Sequence, residues 1–138
     1  MIQLVYLSSA RRPFSQDELV ELLRQARAKN ERLGITGLLL YKDGNFLQVL
    51  EGEDEAVHGL IRRIEADPRH TDTTVLLDEP VAARAFPDWS MGFRNLSDSQ
   101  VQALPGFSDL MNHTRQPSRL AADAAGCRAL IEFFRTGR

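Results

Sequence analysis

The sequence predicts an α+β domain: a mixed five-stranded sheet with two helices on one face, followed by C-terminal helices. Three observations carry that prediction. Short apolar runs rich in β-branched, leucine and aromatic residues recur at residues 2–7, 35–41, 46–50, 73–77 and 91–96. Between the first and second runs, and between the third and fourth, apolar residues recur at three- and four-residue spacing, as in amphipathic helices. Turn and cap residues stand at the junctions, so each element has a physical start and stop.

The first strand ends in a basic, proline-containing loop over residues 8–14. Ser15 and Glu18 then form a capping box: a hydroxyl and a carboxylate, three residues apart, that satisfy each other's backbone amides. Leu19, Leu22, Leu23 and Ala26 follow on one face, with Glu21, Arg24 and Arg27 mostly elsewhere on the wheel. This helix is expected to run to about Asn30, with Gly34 marking the exit. The strands at 35–41 and 46–50 are joined by Lys42-Asp43-Gly44-Asn45, a hairpin turn because Asp-Gly tolerates positive φ. A second helix begins near Asp54, carries Val57, Leu60, Ile61 and Ile64, and is stopped by Asp67-Pro68. With strands at 73–77 and 91–96 the order is β-α-β-β-α-β-β. A split βαβ, ferredoxin-like arrangement puts both helices on one face. Beyond it, Ser97-Asp98-Ser99-Gln100 is a second capping box opening a short helix with Val101 and Leu104. A polar linker through His113 leads to a last helix with Leu120, Ala124, Cys127, Ile131 and Phe134 on one stripe. That stripe must cover the bare face of the sheet or another subunit. The expected division is 1–96 as the main domain and 97–138 as a helical extension.

Bulk properties narrow the function. A chain of 138 residues, 43% hydrophobic and 26% charged, has the composition of one soluble globular domain. A formal net charge of −2 gives no electrostatic footprint for nucleic acid. The single cysteine, Cys127, excludes an internal disulfide and a four-cysteine zinc site. Neither a signal sequence nor a membrane-spanning run is visible, so a cytoplasmic protein is the expectation, with no membrane partner.

Three polar residues interrupt otherwise apolar elements: Tyr6, Asn30 and Gln48. A buried amide or phenol left without a partner costs roughly 1–3 kcal/mol. If all three face one cavity, they suit a planar ligand rimmed with carbonyls and ring nitrogens. Each alone has a plainer reading: a strand tyrosine at a sheet edge, a helix C-terminal asparagine, a glutamine on the solvent face of an alternating strand. Trp89 and Met91 alone read as gap-filling apolar residues. His58 reads as helix surface and His113 as linker, and no histidine spacing suggests metal ligation. Glu51, Glu53, Asp54 and Glu55 read as an acidic run favoured by the positive end of a helix dipole.

Taken together, Asn30-Glu31-Arg32-Leu33-Gly34-Ile35-Thr36-Gly37-Leu38-Leu39-Leu40-Tyr41 and Phe46-Leu47-Gln48-Val49-Leu50-Glu51-Gly52 form a combination found in one family. Asp67-Pro68-Arg69-His70 and Arg84-Ala85-Phe86-Pro87-Asp88-Trp89-Ser90-Met91 complete it. Over residues 2–96 the chain resembles the BLUF family of blue-light sensors using flavin. The resemblance implies a ferredoxin-like fold holding a flavin noncovalently between the two helices. The cofactor implied is FAD, with FMN and riboflavin as alternatives. Position by position, Tyr6 matches the electron- and proton-donating tyrosine and Gln48 the glutamine that links it to flavin N5 and O4. Asn30 matches the asparagine bonded to the flavin's pyrimidine edge. Arg63 and Arg69 resemble basic positions lining the flavin's tail, with surface solubility as the plain alternative, and Lys29 lies beside Asn30. With Asp67 and His70, which alternatively anchors its loop, they are expected to bind flavin. Trp89 and Met91 match the mobile pair near the glutamine. Two departures touch the pocket wall rather than the photochemical residues. Ala26 stands where many members carry serine, and Lys29 where some carry an aromatic or amide residue.

The resemblance therefore implies a photoreceptor rather than an enzyme. Light drives an electron and a proton from Tyr6, Gln48 rearranges, and a red-shifted signalling state acts on the C-terminal helices or a partner. Because these residues encode no output domain, an unidentified downstream protein or a change in a homo-oligomer is also implied. The competing readings are a small ferredoxin-like hydrolase, a flavin reductase and a flavin-free regulatory domain. The hydrolase would need a glycine-rich phosphate loop and the reductase a nicotinamide-binding glycine fingerprint, and neither appears.

Overall fold

A computed structural model of the chain describes residues 1–10, 14–42, 44–68, 70–87, 91–95, 128 and 131–132. The elements are β1 (Ile2–Ala10), α1 (Gln16–Leu33), β2 (Thr36–Lys42), β3 (Asn45–Gly52), α2 (Asp54–Ala66), β4 (His70–Pro80) and β5 (Gly92–Asn95). The strands lie in the order β4-β1-β3-β2-β5. The first four are antiparallel neighbours, and β5 runs parallel to β2. Helices α1 and α2 share one face: Leu19 and Leu23, with Val57, Leu60 and Ile61, pack in one core with Ile2, Leu4, Leu39 and Leu50.

Local chemistry fixes the joints. The expected capping box closes α1: Ser15 Oγ accepts from the Glu18 amide at 3.2 Å, and Glu18 Oε1 accepts from the Ser15 amide at 2.9 Å. The helix outlasts the expected end at Asn30 by nearly a turn. Its stop is Gly34, in the left-handed region at φ 69°, whose N–H reaches back to the carbonyls of Asn30 and Glu31. Asn30 thus lies inside the helix and is buried. Gly44, at φ 88°, sits in the turn between β2 and β3 where the Asp-Gly pair placed it.

Strand lengths depart from the apolar runs. β1 continues through Ser8 and Ser9 because β3 and β4 flank it, pairing Ser8 with Phe46 and Ser9 with Asn45 and Thr71. The ladder satisfies backbone groups whatever the side chain, so two serines do not end a central strand. β4 extends well beyond 73–77 for the same reason, following β1 with two register shifts. β1 and β3 are buried on both faces: Val5, Leu7, Leu47 and Val49, on the face away from α1 and α2, are as inaccessible as Tyr6, Phe46 and Leu50.

The C-terminal helices expected after residue 96 lie outside the described residues, apart from three helical positions. Among these, Ile131 is buried and Arg128 donates to Glu79 Oε2 at 2.9 Å.

Candidate functional site

Identical spacing on the two helices builds a cleft. Leu22, Gln25, Ala26 and Lys29 line it from α1, and Leu60, Arg63, Ile64 and Asp67 from α2 and its C-cap. Each set follows the i, i+3, i+4, i+7 pattern that keeps residues on one helical face. The sheet supplies the floor with Tyr6, Leu39, Phe46 and Gln48, and Asn30 closes the α1 side. The space between these side chains, counting what is open to solvent at the mouth, is about 680 Å³. Apolar side chains form its walls, amides and a phenol its inner edge, and Lys29 and Arg63 add cationic groups.

Register brings the phenol and the amide together. Tyr6 and Gln48 are directly paired across β1 and β3, so both side chains point to the helix face. The Tyr6 hydroxyl donates to Gln48 Oε1. Gln48 Nε2 donates to Met91 Sδ at 3.3 Å. A thioether is a weak acceptor, so the amide's donor side is held far more loosely than its acceptor side. Burial disfavours the charged phenolate and pushes the Tyr6 pKa well above the ordinary tyrosine value, with the negative charge of Asp67 acting in the same direction. Tyr6 is therefore neutral in the resting protein.

Met91 itself is held twice. Arg27 of α1 donates from Nε to the Met91 carbonyl at 3.0 Å, while Gln48 holds the sulfur. Upstream, the segment entering this position is fixed to the sheet. The Glu51 carboxylate accepts from the Ala85 and Phe86 amides at 2.8 and 2.9 Å and from Gln3 Nε2 at 2.9 Å. Arg84 donates to Thr36 Oγ1, the Glu51 carbonyl and the Gly34 carbonyl at 2.9, 3.0 and 2.7 Å.

Of the residues singled out from sequence, Tyr6, Lys29, Asn30, Gln48, Arg63 and Asp67 converge on one cleft, and Met91 touches Gln48. Gln48 is buried, not on a solvent face. His70 enters β4 opposite Ala10. Arg69 and Trp89 lie outside the described residues. Glu51 corrects the reading of the acidic run: it is a wholly buried β3 residue, whereas Asp54 and Glu55 do occupy the first turn of α2. His58 spans from α2 to β4, 2.8 Å from Asp78 Oδ2. The sequence reading missed Arg27, Glu51 and Arg84, whose partners lie 33 to 64 residues away. The shared helical spacing could have identified Leu22, Gln25, Leu60 and Ile64 as walls.

The family described as sensors of blue light using FAD matches residues 1–92. The chain belongs to the BLUF family. Photoactivated adenylate cyclase subunit beta of Euglena longa is 36% identical over 110 residues, covering 79% of this chain but 13% of the relative. The chain thus spans only a small part of the curated relatives it matches. The dark-state structure of BlrB, a BLUF protein, aligns over 95% of both chains with a TM-score of 0.73 at 35% identity. A bacterial light-regulated adenylyl cyclase aligns with a TM-score of 0.73 at 34% identity, over 96% of this chain and 40% of that one. As a BLUF domain, this chain is a blue-light sensor that binds flavin. Among the described residues there is no cluster of metal-ligating side chains, and no helix is long and apolar enough to cross a membrane.

Proposed function

We propose that Tyr6, Gln48 and Met91 form the switch of this blue-light sensor, with FAD as the flavin in the cleft between α1 and α2. The continuous chain of contacts from Tyr6 Oη through the Gln48 amide to Met91 Sδ carries the reading. The donor set fits the cofactor: Leu22, Ala26, Leu39, Phe46, Leu60 and Ile64 can cover an apolar ring, while Asn30 and Gln48 offer amides to its polar edge. Lys29 and Arg63 suit a phosphate-bearing tail, a role also proposed for Arg69 and His70 from the sequence, and Asp67 can accept from its hydroxyls. When bound, the flavin supplies blue-light absorption and an excited-state acceptor for one electron and one proton.

Tyr6 would give up both together, because its buried phenol resists losing the proton alone, and would take both back once Gln48 has rearranged. Gln48 receives that proton's hydrogen bond on Oε1 and can turn or tautomerise without moving the backbone. Turning the amide would bring Oε1 against Met91 Sδ, and two acceptors cannot bond. Rearrangement of Gln48 therefore releases Met91, converting a proton event into a mechanical one. Met91 and Trp89 carry the change onward. The output passes to the C-terminal helices, to a separate effector or to a neighbouring subunit of a homo-oligomer, in the cytoplasm.

The test is an absorption spectrum taken in darkness, under blue light and again in darkness. A flavin spectrum that moves slightly to the red and recovers is expected. Tyr6→Phe should retain the flavin and lose the shift; a full photocycle in that variant would overturn the assignment of Tyr6.

A further inference from the structure

Two independent bonds hold Met91, and only one belongs to the switch. Its sulfur meets Gln48 Nε2, a contact that depends on the orientation of the amide. Its carbonyl accepts from Arg27 Nε, a contact that does not. Met91 is almost completely inaccessible, whereas Arg27 runs along the exposed side of α1 and reaches inward with its guanidinium. Met91 immediately precedes β5, which pairs with β2. Helix α1, one wall of the cleft, is thereby tied through Arg27 to the backbone leading into the last strand.

We propose that Arg27 is a positioning residue that tethers Met91 and sets how readily its sulfur returns to Gln48 after light. The inference rests on the light-driven rearrangement of Gln48 proposed above. Once that rearrangement frees the sulfur, the guanidinium still holds the peptide. Holding the peptide keeps the thioether close to the amide, as any tether raises the effective concentration of its two ends. An arginine suits this task because its charge strengthens a bond to a neutral carbonyl and its planar group limits the directions of approach. Since α1 is also a wall of the cleft, displacement of Met91 pulls on that wall, giving the signal a route besides the C-terminal helices.

Arg27→Ala removes the tether from an exposed position, so the fold should survive. Dark recovery is expected to slow by roughly three- to tenfold, the range spanned by one ordinary hydrogen bond. The size of the red shift should be unchanged, because Tyr6 and Gln48 are intact. Arg27→Lys should recover part of the rate. In a Met91→Ala background, where there is no sulfur to return, Arg27→Ala should have no further effect. Recovery at the parental rate, or an Arg27 effect that persists in Met91→Ala, would overturn the tether.

A second readout is independent of light. The Met91 methyl resonance in methyl-labelled protein kept in darkness should shift towards that of free methionine in Arg27→Ala. An unmoved resonance would also overturn the proposal. If the parent protein shows no reversible red shift, the switch assignment fails, and the methyl resonance still decides whether Arg27 positions Met91.

Discussion

Gln48 and Glu51 stand three residues apart on β3, both polar and both buried, on opposite faces of the sheet. Gln48 faces the cleft, with a phenol on one side of its amide and a thioether on the other. Glu51 faces away, and its two carboxylate oxygens accept three N–H groups, two of them from the backbone of residues 85 and 86. The amide has two chemically different ends and one weak partner, so two orientations can compete. The carboxylate has equivalent ends, strong donors and no alternative arrangement. One strand thus carries a group with one weakly held end and a group held firmly at both. The carboxylate anchors residues 85 and 86, so the rearrangement proposed for Gln48 would act against a rigid reference.

The comparison is broken most severely at its rigid end. Glu51→Ala should strand two backbone amides and the Gln3 side chain, costing about 3 kcal/mol or more. Urea unfolding should show the midpoint falling by more than ~1 M for a domain of this size. A midpoint within error of the parent would mean that Glu51 is not the anchor.

Alkaline pH probes the other end. The folded-state pKa of Tyr6 is raised above its unfolded value, so its contribution is fully present below about pH 10 and is lost as pH rises towards the folded value. In that window the folded chain holds one proton more than the unfolded chain. Stability should therefore fall by about 1.4 kcal/mol per pH unit from this group. The slope should be absent in Tyr6→Phe, and Asp67→Asn should lessen the elevation by removing its second cause. A parental slope that Tyr6→Phe leaves unchanged would assign it to another group.

The smallest change in stability belongs to Gln48. Gln48→Leu keeps the volume and removes the acceptor of Tyr6, so it should cost about 1–3 kcal/mol while abolishing the reversible red shift. The pair Glu51→Ala and Gln48→Leu then separates the two roles: one variant loses stability, the other loses the response. A large stability loss in Gln48→Leu would show that the amide, too, is structural.

The sequence was explicit wherever a signal is local. The Ser15–Glu18 box, Gly34, the Asp-Gly turn and the apolar spacing of α1 and α2 all declare themselves within a few residues. The strand runs did so as well, although their ends did not. Pairing partners on both sides, rather than side-chain type, decide that Ser8 and Ser9 belong to β1 and that β4 spans His70–Pro80.

Residue types and motif order alone were enough to determine the family, and with it the expectation that Tyr6, Asn30 and Gln48 share a site. The tertiary structure decided which polar residues have strong partners at every end and which have a weak one. Glu51 read as part of an acidic helix start and Arg27 as helix surface, because nothing within several residues of either reveals a partner. Their roles arise from contacts 34 to 64 residues away in the chain, where strand register and helix docking bring Phe86 to Glu51 and Met91 to Arg27. A long-range hydrogen bond leaves no periodicity in the sequence. It exists only once the hydrophobic faces of the helices and sheet have packed and set those backbone groups in place.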